Sequence, residues 1–365
     1  MPELDTLRGL AIAGVVCLHG FYWQHGGMRA GPWGRLILDL SRPGWLGVNL
    51  FFVLSGFLIT GLLLDSAARP DRYRRFYARR ALRILPAYYA VLIVLWLFGQ
   101  ASRAYLALGL AFLANVTSLF GVAQYYGPLW TLAVEEQFYL FWPAAVWRLS
   151  RRGVAWLASA VVVLTPLARG VAFHYGQTDG LAEYTWFVLD GLACGALLAV
   201  LLRSGTSRRG VWRIALTLVA IAVVAGLAGW PLGIATRTRL AGAAFQYTLI
   251  SLFFSGLLLL TLLGGTSRWT WLTTNRPLRF LGFISYGLYL IHVLVFWLYD
   301  QLCRQLAPQM LPRDDHFGLV ILRFGIAGGA AVLLAWLSRV HFEGRFLRMR
   351  DRVSGPAAAA VLSPS

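Results

Sequence analysis

Arg8 and His19 stand eleven residues apart in the first apolar segment, LRGLAIAGVVCLHGFYW. Over that interval a regular helix turns about 1100°, so both side chains fall on nearly one face, roughly 16 Å apart along the axis. An ionisable side chain inside a bilayer costs roughly 2.5 kcal/mol or more unless it is paired or lines a cavity. The guanidinium offers a bidentate fork for an oxyanion, and the imidazole offers proton transfer near neutral pH. The pair also has a plain structural reading: an arginine snorkelling at a helix end and a histidine hydrogen-bonded to a neighbouring helix.

Two more arginines belong with Arg8. In RRFYARRALRILPAYY, Arg80 and Arg83 lie three residues apart, on one helix face just before Pro86. Three converging guanidinium groups suit phosphate, whereas the remaining arginines of that loop read as a topology signal. In YYGPLWTLAVEEQFYLFWP, the adjacent carboxylates Glu135 and Glu136 point about 100° apart, so one faces a cavity while the other caps or pairs elsewhere. A buried Glu either orients a histidine and stabilises its imidazolium or pairs with an arginine across the bundle, and the sequence leaves open which of the two acts. Asp190, inside WFVLDGLACGALLA, is either functional or half of a salt bridge. Ser285, Tyr289 and His292 share a stripe in LGFISYGLYLIHVLVFWLY, where His292 reads first as a packing residue. In GWLGVNLFFVLSGFLIT the small residues Gly47, Ser55 and Gly56 permit close helix approach, and Ser55 binds a ligand or a backbone carbonyl. Cys17, Cys194 and Cys303 form no CxxC pattern and the six histidines no HExxH, so neither a disulfide framework nor a metal site is expected.

The elements that position these residues are membrane helices. With 58% hydrophobic and only 13% charged residues in 365, and a mean hydropathy of +0.64, the chain is no ordinary soluble domain. The net charge of +18 sits in short arginine clusters between apolar runs, which excludes a nucleic-acid binder and fits cytoplasmic loops. Apolar segments near 7–23, 44–65, 84–99, 129–148, 154–169, 184–202, 211–229, 241–264, 279–299 and 317–338 are spanning candidates, with a further apolar stretch at 105–122. If that stretch does not cross, 23 arginines fall on the cytoplasmic side against nine outside, with Arg323 left inside the last helix. The expected fold is therefore an all-α polytopic membrane protein of about ten transmembrane helices with both termini cytoplasmic. Residues 105–122 then form a re-entrant or partly inserted segment, buried in protein or lining a cavity. Residues 1–345 form the membrane domain and 346–365 a short basic, then low-complexity, tail; no cleavable signal is expected, the first helix itself serving as the targeting element.

In order along the chain, LDTLRGLAIAGVVCLHG, GVNLFFVLSGFLIT, FYARRALRILP, GPLWTLAVEEQFYLFWP and ISYGLYLIHV resemble the acyltransferase-3 family of membrane O-acyltransferases. The resemblance implies an enzyme that takes an acyl group, usually acetyl from cytoplasmic acetyl-CoA, and places it on a hydroxyl of an extracytoplasmic or lipid-linked glycan such as an exopolysaccharide or O-antigen. It implies His19 as the catalytic histidine, with Glu135 beside it in the catalytic set, and Arg8, Arg80 and Arg83 as acyl-donor residues. Ser55, Trp130, Glu136, Asp190, Ser285, Tyr289 and His292 are left as acceptor-site or structural candidates. Acetyl-CoA is a substrate, no permanently bound cofactor is expected, and the location is the bacterial inner membrane. Some relatives add an SGNH-type esterase-like domain; with none expected here, the membrane domain acts directly on its acceptor. Trp23, Trp130 and Tyr126 are further aromatic candidates, for sugar stacking or for interfacial anchoring. The rival readings are a transporter or flippase, which intramembrane Arg, Glu, Asp and His also suit, and an acyltransferase acting on a macrolide-type small molecule.

Overall fold

The computed structural model describes residues 2–264, 275–313 and 316–353. Arg268, counted above among the cytoplasmic arginines, and the low-complexity residues 354–365 of the expected tail lie outside the described residues. The basic start of that tail is helical, within Gly344–Val353.

The helices run α1 (Pro2–His25), α2 (Pro32–Asp65), α3 (Arg72–Leu97), α4 (Arg103–Leu110), α5 (Pro128–Arg148), α6 (Arg151–His174), α7 (Thr185–Leu201), α8 (Arg208–Ala228), α9 (Leu240–Leu263), α10 (Arg276–Leu306) and α11 (Phe317–Met349). No strand occurs among the described residues, and the chain is an all-α multi-pass membrane protein. Each of the ten apolar segments falls on one of these helices. Eight are long and apolar enough to cross a bilayer; α7 has 17 residues, and α5 has its apolar run interrupted by Glu135, Glu136 and Gln137. α4 has eight residues, about 12 Å of helix, too short for a hydrocarbon core of about 30 Å. The chain writes its own helix starts: the side chains of Ser102, Ser150, Ser207 and Asn275 accept the backbone N–H of Tyr105, Gly153, Gly210 and Leu278, capping α4, α6, α8 and α10.

Three of these helices are not regular throughout: α2 tightens into a 3-10 turn at Arg42–Trp45, and π turns widen α1 at Leu18–Tyr22 and α11 at Phe324–Gly328 and Ser338–Glu343. The π turns at Leu18–Tyr22 and Phe324–Gly328 lie against one another, and the first contains His19. Extending the regular 100° step from Arg8 to His19 therefore fails over its last residues, because a π turn takes in an extra residue.

With no hydrophobic drive between helices in lipid, close packing decides which helices pair. A Cβ on Gly9 would lie 1.8 Å from the Leu278 carbonyl oxygen and one on Gly282 1.8 Å from that of Asp5, so α1 and α10 touch backbone to backbone. Gly56 and Gly195 do the same between α2 and α7, and Gly47 brings α2 onto Ala11 of α1. α1 is thus clamped between α2 and α10, the helices carrying Ser55 and the Ser285/Tyr289/His292 stripe.

Two buried ion pairs tie further helices together. Arg169 of α6 donates to Asp190 of α7 at 2.8 Å and to the Ala244 carbonyl of α9 at 3.0 Å. Arg323 of α11 meets Asp300 of α10 with two bonds of 2.7 and 2.8 Å, and reaches back to the Gly20 carbonyl and the Gln24 side chain of α1 at 3.3 and 2.9 Å. The segment at 105–122 comprises most of α4, a loop and a 3-10 turn at Thr117–Phe120. It is tied down by Gln137, which donates to Asn115 at 2.9 Å and to the Phe112 carbonyl at 2.8 Å. Phe112 takes a left-handed φ of 55° and stacks on Tyr88 at 4.4 Å.

Candidate functional site

Two cavities lie at opposite ends of α1. The first, about 320 Å³, is lined by Arg8, Arg80, Arg83, Ser55, Glu135 and Tyr139, with Thr131, Ser285, Tyr286 and Tyr289. The arginines reach it because α3 continues as helix through its arginine-rich start, carrying Arg80 and Arg83 below the apolar part of the helix. Glu135 accepts from Ser55 Oγ at 2.7 Å and from Tyr139 OH at 3.0 Å. The Arg80 guanidinium lies 4.1 Å from the centre of the Tyr139 ring, and its Nε has no hydrogen-bond partner among the described residues. Arg8 has one weak contact, to Asp5 at 3.5 Å. With so few protein acceptors among the described residues, the three guanidinium groups have N–H donors left to offer an oxyanion.

The second cavity, about 460 Å³, contains His19 and is walled by aromatic rings, Trp23, Trp45, Trp130, Tyr125, Tyr247 and Trp297 among them, interspersed with Gln24, Asn49, Gln124, Glu183 and Arg237. His19 Nδ1 lies 2.9 Å from the Val15 carbonyl and 3.2 Å from His292 Nε2, while His292 Nδ1 lies 3.0 Å from the Leu288 carbonyl. Arg237 donates to Tyr247 OH at 2.8 Å and stands 5.8 Å from the centre of the Trp45 ring. In the loop before α7, burial raises the Glu183 carboxyl above its ordinary range, against the opposing pull of Arg237.

The two cavities share three lining residues, Val48, Phe52 and Tyr289, which stand where they adjoin. Tyr289 is hydrogen-bonded to Thr131 at 2.7 Å, and the Phe52 ring stands edge-on to Trp130 at 6.1 Å.

The structure gathers Arg8, Arg80 and Arg83 in one cavity. It does not bring Glu135 to His19: the carboxylate sits in the arginine-lined cavity on Ser55 and Tyr139, because its helix face turns toward α2 and α3. Glu136 points elsewhere, as the 100° offset requires, lines neither cavity and keeps one oxygen without a partner among the described residues. His292 is fully buried, yet packing alone does not describe it, since it lies against His19. Ser285 lines the arginine cavity while donating to the Gly282 carbonyl at 2.9 Å, and Tyr289 lines both cavities. Asp190 forms the salt bridge with Arg169 and also reaches the wall of the histidine cavity. Trp23 and Trp130 line that cavity; Tyr126 does not, being buried with its hydroxyl on the Leu290 carbonyl at 2.6 Å. Sequence reasoning missed Tyr139, although it stands one turn after Glu135, and missed Arg237, Glu183 and the partnership of Arg323 with Asp300.

A basic cavity and an aromatic cavity with a histidine adjoin inside a helical membrane domain. The chain belongs to the acyltransferase-3 family, whose sequence profile, described as an acyltransferase domain, matches residues 1–340. It is 32% identical over 164 residues to peptidoglycan O-acetyltransferase OatA of Listeria monocytogenes, covering 40% of this chain and 24% of that protein. It is 29% identical over 325 residues to the putative peptidoglycan O-acetyltransferase YrhL of Bacillus subtilis, covering 80% and 48%. Against O-acetyltransferase OatA of Staphylococcus aureus it is 26% identical over 328 residues, covering 81% and 51%. The chain spans about half or less of the length of these curated relatives. No solved structure matches it.

Proposed function

We propose that this protein is an O-acetyltransferase of the bacterial cytoplasmic membrane, moving an acetyl group from cytoplasmic acetyl-CoA to a hydroxyl of an extracytoplasmic or lipid-linked glycan. The observation that carries this reading is the division of labour between the cavities: Arg8, Arg80 and Arg83 in one, His19 in the other, with Val48, Phe52 and Tyr289 between them. With ten crossings and both termini inside, as the arginine distribution favours, the arginine cavity opens to the cytoplasm. The phosphates of acetyl-CoA dock on the three guanidinium groups, Glu135 keeps the Ser55 and Tyr139 hydroxyls in place, and the thioester reaches up between Val48, Phe52 and Tyr289.

The acceptor enters the aromatic cavity from outside. Trp and Tyr rings offer flat apolar faces to a sugar ring, while Gln24, Asn49, Gln124 and Glu183 offer partners to its hydroxyls. His19 Nε2 takes the proton of the acceptor hydroxyl as its oxygen attacks the thioester carbon. The C–S bond breaks, and the leaving thiolate takes the proton back from His19, so that free thiol and acetyl ester are the products. The relatives' names point to a cell-wall glycan; exopolysaccharide and O-antigen sugars present the same hydroxyl chemistry.

The test is His19→Ala, which removes a polar group from an apolar helix and should leave insertion intact. Acetylation of surface glycan in cells should fall at least about 100-fold, the usual scale for losing a general base. Near wild-type acetylation at equal protein levels would make His19 structural and end this mechanism.

A further inference from the structure

We propose that His292 is the positioning residue that, together with the Val15 carbonyl, keeps His19 in the one tautomer able to act as a base, and that it supports the imidazolium formed when His19 takes a proton. The inference rests on the reading of His19 as the base. His19 and His292 lie 273 residues apart in sequence, on helices that meet where Gly9 and Gly282 let α1 and α10 touch.

The protons can be assigned from the acceptors. A carbonyl oxygen cannot donate, so a ring nitrogen within hydrogen-bond distance of one must carry hydrogen. His292 Nδ1, 3.0 Å from the Leu288 carbonyl, is therefore an N–H donor, and in the neutral ring its Nε2 is a bare lone pair. His19 Nδ1, 2.9 Å from the Val15 carbonyl, is likewise an N–H donor. The 3.2 Å contact between them then runs one way, the single Nδ1–H of His19 being shared between the Val15 carbonyl and the lone pair of His292 Nε2. The opposite tautomers would set a lone pair against a carbonyl oxygen in both rings. By elimination, the free lone pair of His19 is on Nε2, a nitrogen with no protein partner among the described residues, on a residue that lines the aromatic cavity.

The surroundings hold this arrangement. His292 is wholly buried and has no room to turn toward another acceptor. Its neighbour Tyr289, 5.9 Å ring to ring, is itself fixed by Thr131. One residue beyond His19, Arg323 holds the Gly20 carbonyl of the π turn. When His19 Nε2 receives the hydroxyl proton, the ring carries charge, and the Nδ1–H bond to a neutral acceptor strengthens. His292 needs no proton of its own at any point in the reaction. An acyl-imidazole route would need the same free Nε2, so the role is common to both routes.

The test uses the full chain in lipid nanodiscs with acetyl-CoA and a chito-oligosaccharide as acceptor probe, following thiol release. His292→Leu, with His292→Ala as a second acceptor-free variant, should lower kcat about 100-fold and leave the KM for acetyl-CoA within about threefold of wild type, because the donor cavity is untouched. His292→Gln supplies an oxygen acceptor in place of Nε2 but cannot take a proton, and it should recover activity to within about tenfold of wild type. Wild-type kcat in the acceptor-free variants would overturn the proposal. So would a Gln variant as slow as the Leu variant with unchanged thermal unfolding, which would assign proton carriage or packing instead. His19→Ala run alongside tests the underlying reading separately: its full activity would remove the base itself, whatever the His292 variants do.

Discussion

Arg323→Met should be among the most damaging single changes in this protein, because it strands the Asp300 carboxylate. Arg323 has no exposed surface, and it meets Asp300 through two bonds of 2.7 and 2.8 Å. Removing one member of a buried pair costs about 3–5 kcal/mol, since the remaining charge stays desolvated and unmatched. The loss falls on three helices at once, because the same guanidinium ties α11 to α10 and to the π turn of α1. Asp300→Leu strands the arginine instead and should cost a similar amount. The double variant removes both charges together, and a buried pair replaced by apolar residues of similar volume is often neutral, so most of the stability should return. Thermal unfolding in micelles can be followed through the 15 tryptophans. Each single variant should lower the midpoint by on the order of 10 °C, and the double should lie within about 3 °C of wild type. Single variants within about 1 °C of wild type, or a double variant showing the sum of the two losses, would refute the reasoning.

Arg83→Lys keeps the charge and loses the planar fork, so affinity for acetyl-CoA should weaken about tenfold with membrane insertion unchanged. Competition binding with a fluorescent CoA analogue measures this, and unchanged affinity in both Arg83→Lys and Arg83→Ala would return the residue to a topology signal. Where the two cavities adjoin, Phe52→Ala should admit a longer acyl chain. Two extra methylenes of butyryl-CoA, at about 0.8 kcal/mol each, should raise kcat/KM for butyryl relative to acetyl roughly 15-fold. A ratio unmoved by both Phe52→Ala and Val48→Ala would mean that the acyl group does not pass between Phe52 and Tyr289.

What the sequence determined about this protein is what depends on one helix at a time. Apolar length located ten helices, eight of them long and apolar enough to cross a bilayer, and the three-residue spacing of Arg80 and Arg83 placed both on one face, because a helix's own period decides which of its residues share a side. The 100° step between Glu135 and Glu136 separated one carboxylate in a cavity from one outside it, by the same logic. Which helix stands opposite that face is not a property of the period. Glu135 found Ser55, 80 residues away, rather than His19, and His19 found His292. Those partners follow from backbone contacts at Gly9, Gly282, Gly56 and Gly195, whose register is fixed only when the helices pack. The π turn at His19 is tertiary in the same sense: its Gly20 carbonyl is held by Arg323, whose charge is matched by Asp300 on a third helix. In a bilayer the apolar surfaces of all helices are nearly equivalent, so small-residue contacts and buried polar bonds between distant segments choose the neighbours, and the neighbours build the site.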